Sequence, residues 1–251
     1  MRFFPPNALS QLDQSSAATF DSIQWDGTSW VARDIQSSTN RIVMKTEFNA
    51  LGEFTNIQSG LGALSTLLTA GYAFDGRVGF YTSTTGTTAL GVAGHGTALT
   101  DQIVLGTYNT DVCDIVRLPA LSTALARFAV DCGLTDNRTG GATAPVDGVF
   151  FQYSDNVNSG KWLCCCMNNN TLTSTDSGIA VAINTWYRLE IEISTTQALF
   201  YIDGTLVATV GGIPTGTSRT MGKSALIRKS VGTVASTLIS DYTHFIQGTA
   251  R

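Results

Sequence analysis

Phe200-Tyr201-Ile202-Asp203-Gly204-Thr205-Leu206-Val207 decides the reading of this chain. Phe200 and Ile202 alternate with Tyr201, as side chains do on a half-buried strand, and Thr205 to Val207 begin a second apolar run. Between them Asp203-Gly204 supplies two residues that tolerate φ > 0, which the favoured two-residue hairpin turn demands. A β-hairpin is the expectation. Working outward, Val149 to Tyr153, Trp162 to Met167, Tyr187 to Ser194, Ala198 to Ile202 and Thr205 to Val210 are short apolar or alternating runs. Turn residues separate them, Asn168-Asn169-Asn170 among them, at the spacing of an antiparallel sandwich. Leu189, Ile191, Ile193, Phe200, Ile202 and Val207 are the expected core positions.

The rest of the chain fits the same class less sharply. Arg41 to Phe48, Arg77 to Thr82, Gln102 to Leu105, Asp111 to Leu118 and Ala126 to Leu134 are strand-like, the last two most simply a pair. Gly60 to Ala70 (GLGALSTLLTA) is the one segment that reads as a short helix. Residues 1–40 differ: Pro5-Pro6, a polar run from Gln11 to Ser16, then Trp25-Asp26-Gly27-Thr28-Ser29-Trp30, which suggests a hairpin turning at Asp26-Gly27. Its two indoles either pack on the domain 41–247 or, with Phe3 and Phe4, anchor an arm to a partner subunit.

Composition narrows the function classes. The 251 residues carry 15 Lys+Arg against 19 Asp+Glu, a formal charge of −4, and 14% are charged. Nucleic-acid binding through counterion release needs a basic face, and no Lys/Arg cluster supplies one, so no nucleic-acid partner is expected. The start has no signal-like apolar stretch, and no run approaches the ~18 apolar residues of a membrane span. Synthesis in a cytoplasm without membrane insertion is the expectation. The five cysteines, Cys113, Cys132, Cys164, Cys165 and Cys166, lack zinc-ribbon spacing and read as reduced thiols. On a strand, Cys164 and Cys166 would share one face and Cys165 the other.

The runs Val146 to Tyr153, Asn158 to Trp162, Thr175 to Gly178, Thr185 to Glu192 and Phe200 to Thr209, closed by Ile213-Pro214-Thr215 and a last strand near Asp241-Tyr242, resemble concanavalin A-like jelly rolls. The likeness is closest to the laminin G-like versions found in bacteriophage structural proteins. It covers residues 75–247 well and 41–75 weakly. It implies an all-β fold, a two-sheet antiparallel jelly-roll sandwich with a short N-terminal arm. It also implies a virion structural role, as a fibre or decoration protein at the virion surface. Other virion proteins, a trimer of this chain and a host-surface glycan are the partners so implied. A stand-alone carbohydrate-binding module and a glycoside hydrolase on the same scaffold are the alternatives.

Glu190 and Glu192 are the best carboxylate pair, two residues apart on one strand and so about 6.6 Å apart along one face. The resembling retaining glycosidases carry three alternating acids on such a strand, and here Ser194 stands at the third position. Double displacement needs two carboxyls about 5 to 5.5 Å apart with distinct roles, so no catalytic residue is assigned and no enzyme is expected. His95, read as a loop residue, and His244, near Asp241, have no nucleophile elbow to serve. No cofactor is expected. Calcium stays open, with Asp136, Asn137, Asp147, Asp155, Asn156 and Asp176 as loop oxygens of the right kind but no defining spacing. Trp162 and Trp186 read as core residues.

Overall fold

The computed structural model describes residues 81–87, 90–97, 103–136 and 144–248 in full, and the backbone of strands at 22–25, 30–33, 41–46, 54–59, 64–72 and 78–80. Seventeen strands are described: β1 Ser22–Trp25, β2 Trp30–Arg33, β3 Arg41–Thr46, β4 Phe54–Ser59, β5 Leu64–Tyr72, β6 Val78–Thr84, β7 Gly91–Thr97, β8 Thr110–Arg117, β9 Phe128–Thr135, β10 Gly148–Tyr153, β11 Lys161–Asn168, β12 Thr171–Ala180, β13 Trp186–Ile193, β14 Gln197–Ile202, β15 Thr205–Gly211, β16 Gly222–Lys229 and β17 Thr237–Gly248. The chain divides into two compact units, Met1–Arg41 with Ala250–Arg251, and Ile42–Thr249. In the first, β1 and β2 pair antiparallel with Trp25 opposite Trp30. Phe3, Phe4 and the turn residues Asp26-Gly27 lie outside the described residues.

The larger unit is a sandwich. One sheet has the order β12-β11-β10-β9-β16-β7-β4; the other runs β15-β14-β13-β8-β17-β6-β5, with β3 beside β17 as its eighth strand. Neighbours along both paths pair antiparallel. Local chemistry explains the connections seen most clearly in the sequence. Asp203 and Gly204 take φ of 51° and 78°, and Asn169 and Asn170 take 52° and 62°, so both turns use the left-handed region that Asn, Asp and Gly tolerate.

The inner faces meet in one apolar core. Val130, Cys132, Phe151, Trp162 and Cys164 from the first sheet pack against Val112, Leu189, Ile191, Phe200 and Phe245 from the second. Aromatic edges link the layers: Phe151 meets Phe200 at 5.0 Å, and Trp162 meets Tyr187 at 5.8 Å. Leu189, Ile191, Ile193, Phe200 and Ile202 are buried as expected, but Val207 is only partly so. A register shift between Phe200 and Tyr201 pairs these with Ala208 and Leu206, which leaves Val207 out of the ladder.

Besides Val207, four expectations about the strands and His95 need correction. Residues Leu64–Tyr72 form a strand, β5, where a helix was read. Its partner β6 supplies the hydrogen bonds that a Gly-interrupted helix would have to make alone. β8 and β9 do not pair: β8 lies between β13 and β17, β9 between β10 and β16, so the chain crosses from one sheet to the other between them. Of the run Gln102 to Leu105, the described residues 103–105 hold only isolated bridges, at Ile103 and Leu105. His95 belongs to β7, not a loop, and is fully buried with its ring edge-on to Tyr81 at 5.3 Å. Burial, with the Lys223 charge adding, holds its pKa well below the ordinary histidine value.

Candidate functional site

The outer faces of the two sheets differ. On the seven-stranded sheet, Val92, Asp131, Phe150, Cys165, Ser224, Leu226 and Arg228 are all buried. Asp131 pairs with Arg228 and accepts from Gln152 Nε2 at 2.9 Å, and Thr135 meets Ser224 at 3.0 Å. That surface offers these side chains to no solvent ligand. On the eight-stranded sheet the outward side chains of β13 and β14 are half-buried or exposed, which makes this the open face.

Strand period builds the open face. In β13, Tyr187, Leu189, Ile191 and Ile193 turn inward, so Trp186, Arg188, Glu190 and Glu192 turn outward. The cross-strand register then sets them in rows with residues far away in sequence. Tyr201, Glu190, Cys113 and His244 form one row; Leu199, Glu192, Asp111 and Ile246 the next; Arg188, Ile115 and Tyr242 a third. Tyr201 donates to Glu192 Oε2 at 3.0 Å, and Arg188 Nη2 contacts Glu190 Oε1. His244 Nδ1 lies 3.1 Å from the Tyr242 hydroxyl, and its Nε2 lies 3.4 Å from Asp111 Oδ1. Arg117 sits 4.9 Å from the centre of the Trp186 ring, a cation–π contact. The hydrogen bond to Glu192, helped by slight desolvation, pushes the Tyr201 hydroxyl above its ordinary pKa. Arg188 is 47% exposed and Glu190 19%, so the charges are reachable but partly ordered.

Each residue singled out from the sequence has a place. Glu190 and Glu192 share the outer face as read. Ser194 stands just past the end of β13, and its hydroxyl closes the turn to β14 by donating to Gln197 O at 3.0 Å. The third position of an alternating acid triplet therefore falls in a turn. Trp162 is a core residue; Trp186 is not, being half-buried on the open face. All five cysteines are unpaired and buried. Cys132, Cys164 and Cys166 belong to the core, while Cys165 and Cys113 lie under the outer faces. Burial pushes the Cys113, Cys164 and Cys166 thiols up to about 12, which suppresses the reactive thiolate.

The acids proposed as calcium oxygens are tied to protein donors. Asp147 Oδ1 accepts from Asn169 N at 2.8 Å and Arg219 Nη1 at 2.6 Å, and Asp136 Oδ1 accepts from Val146 N at 3.0 Å. Asn156 Oδ1 accepts from Ser154 at 3.0 Å, and Asn137 lies outside the described residues. Asp176 bonds Lys161 Nζ at 2.8 Å and Gly178 N at 2.7 Å. Among the described residues, no group of three or more His, Cys, Asp or Glu could hold a metal ion. Asp155 takes two bonds from Arg127 at 3.0 Å and one from Ser122 Oγ. The Arg127 bonds, offset in part by burial and then reinforced by Ser122, hold its carboxyl near about 2 against an ordinary 3.8.

A depressed carboxylate stabilises the fold above its unfolded pKa, and that stability is lost as pH falls through the folded one. Melting curves should therefore show wild type losing its advantage over Asp155→Asn between about pH 4 and about pH 2. An advantage that stays constant over that window would show that the Arg127–Asp155 contact is not formed.

Sequence reading missed Asp111, Arg117, Arg188, Tyr201 and Tyr242 as members of this face. The signal was the polar member of each alternating run, but only the register joins them.

Two stacked antiparallel sheets with this order define a concanavalin A-like jelly-roll sandwich. Residues 76–241 match the family described as SO2946-like, C-terminal domain, and the chain belongs to that family. The crystal structure of the protein of unknown function SO2946 from Shewanella oneidensis MR-1 is similar, with a TM-score of 0.63 at 13% identity over 84% of this chain and 89% of that one. Peanut lectin, in a structure with a 9mer peptide, gives 0.56 at 10% over 84% and 99%. The Emp47p carbohydrate recognition domain gives 0.54 at 8% over 84% and 99%. At these identities the likeness is one of fold. No curated protein sequence matches the chain.

Proposed function

We propose that this protein is a non-enzymatic structural protein of a bacteriophage particle, a fibre or decoration component at the virion surface. In this reading the jelly roll is displayed and holds a host-surface glycan on the open face of the eight-stranded sheet. Residues 1–40, with Phe3, Phe4, Trp25 and Trp30 as anchors, attach it to other virion chains within a homotrimer. The carrying observation is the open face itself, where Tyr201, Trp186 and Tyr242 stand among Arg188, Glu190, Glu192 and Asp111. Sugar rings stack their C–H faces on aromatic rings and bond their hydroxyls to carboxylates and guanidinium groups, and this face carries both. Its mixed charge suits a polyhydroxyl ligand better than a polyanion. Glu190 and Glu192 each have a neighbouring donor, and the third acid is absent, which favours binding over hydrolysis.

Glycan-array binding by the full chain tests the face. Tyr201→Ala should weaken binding about tenfold or more, roughly 1.4 kcal/mol, while leaving the melting temperature unchanged. Deleting residues 1–40 should preserve glycan binding and abolish incorporation into particles, read by imaging and by mass spectrometry of purified virions. Glycan turnover by wild type that disappears in Glu190→Gln would establish the hydrolase alternative. Binding with normal absence from every particle preparation would establish the free binding module.

A further inference from the structure

Between the sheets, where β8, β16 and β17 converge, the apolar core gives way to one close-set polar group. Asp114 enters from β8 and Lys223 from β16, and they are 1% and 0% exposed. Lys223 Nζ lies 2.6 Å from both Asp114 carboxyl oxygens. That symmetric approach leaves the nitrogen within about 3 Å of Cγ, and a tilt out of the carboxyl plane brings it onto the line of attack. Lys223 Nζ also reaches Ser224 O at 3.4 Å. Thr243, from β17, donates its hydroxyl to Asp114 Oδ1 at 2.8 Å. His95 of β7 stands opposite Ala225, two residues along β16 from Lys223.

We propose that Lys223 and Asp114 condense into an intramolecular isopeptide bond that joins the two sheets covalently. The reaction runs between a neutral amine and a neutral acid, the pair that one proton passed along the 2.6 Å contact produces. Desolvation is also the largest influence on Asp114 and pushes its pKa up. The amine lone pair attacks Cγ, and negative charge gathers on Oδ1, where the Thr243 hydroxyl already donates. The Cγ–Oδ2 bond then breaks, and the leaving hydroxyl takes a proton from the nitrogen. One N–C bond forms, one C–O bond breaks and one water departs, with no change of oxidation state and no co-reactant. Dry packing carries the water's departure forward and shields the amide from hydrolysis.

Lys229 supplies an internal comparison. It is equally buried, but its nitrogen faces the Gly86 carbonyl oxygen at 2.8 Å and, among the described residues, no carboxyl, so it is expected to remain an amine. The 223–114 bond would close a loop of over a hundred residues and tie β16 to β8 across the sandwich, a constraint that acts mainly on the unfolded chain.

Intact-mass spectrometry of the denatured, purified full chain should show a species lighter than its sequence by one water. Tryptic digestion should yield a branched peptide joining the segments that contain Asp114 and Lys223, with no cleavage after Lys223. The branch must survive mild alkali, because dehydration at Asp203-Gly204 or Asp147-Gly148 would give a linear succinimide that alkali reopens. Lys223→Arg and Asp114→Ala should both return the full mass and the linear peptides. Since the branched wild-type peptide decides by itself, misfolding of either variant leaves the test intact. Full sequence mass, with complete cleavage after Lys223 even after prolonged incubation of the folded protein, overturns the proposal and leaves a buried ion pair.

Discussion

Trp162→Ala should lower folding stability by about 3–5 kcal/mol, the largest loss expected of any single core truncation here. Trp162 has no exposed surface and meets three aromatic rings: Tyr187 at 5.8 Å, Tyr153 at 5.9 Å and Phe151 at 6.3 Å. Phe151 and Tyr153 belong to its own sheet and Tyr187 to the other, so the indole is shared by both layers. Neither sheet can move in to fill the void without breaking its ladder, because backbone hydrogen bonds fix the spacing of β10, β11 and β12. A domain of this size should then melt about 6–20 °C lower. Trp162→Phe should do far less damage, since the indole Nε1 has no hydrogen-bond partner among the described residues and its removal relieves an unsatisfied donor. Equal losses for Ala and Phe in differential scanning calorimetry would sink the shared-ring account.

The contrast between what the sequence showed and what it hid follows from where the determining contacts lie. The turns at Asp203-Gly204 and Asn169-Asn170 were legible because their chemistry is local: two residues that accept positive φ, flanked by runs of period two. β13 was legible because one of its faces is wet, which imprints alternation. β16 was not, because all eight of its residues are buried and the period disappears. Lys223, Arg228 and Lys229 even make it look like a surface segment, yet their partners Asp114, Asp131 and the Gly86 carbonyl come from remote parts of the chain. β12, known in the sequence only through the resemblance of Thr175 to Gly178, was not read as a strand for the opposite reason: it is an exposed Thr- and Ser-rich edge whose one buried residue is Ser177.

Fold and site differ in the same way. Asp111, Glu190, Tyr201 and His244 belong to four strands, and only the antiparallel register brings them into neighbouring rows. No short motif could have linked Glu190 to Cys113 or Cys113 to His244. The family match begins near β6 and ends within β17, so all four strands that carry the open face start inside it. Its β8, β13 and β14 residues lie inside the match, Tyr242, His244 and Ile246 of β17 lie just past its end, and residues 1–40 lie before it. The proposed display and the proposed attachment are assigned to separate stretches of chain, so one can be deleted while the other is assayed.

Gly133→Ala should produce the second large loss, about 2–6 kcal/mol, for two reasons that add. Gly133 sits in the middle of β9, between Phe150 of β10 and Ser224 of β16, with φ at +148°. An L side chain is strained there, and its Cβ would fall 2.4 Å from Val149 O and 2.7 Å from the Phe150 Cα. Both are backbone atoms in the next strand, and neither can yield unless the β9–β10 ladder opens. Gly178 separates the two contributions. Its φ is +77°, but a Cβ there would meet nothing within 4 Å, so Gly178→Ala should show backbone strain alone, about 1–3 kcal/mol. Urea denaturation of the two variants should therefore place Gly133→Ala clearly below Gly178→Ala, and equal values would remove the steric half of the argument. Glycan affinity of folded Gly133→Ala should match wild type, because the substitution lies in the seven-stranded sheet and the open face belongs to the other. A variant that folds fully yet binds weakly would instead place the ligand on the sheet that contains β9, and the proposed face would have to be abandoned.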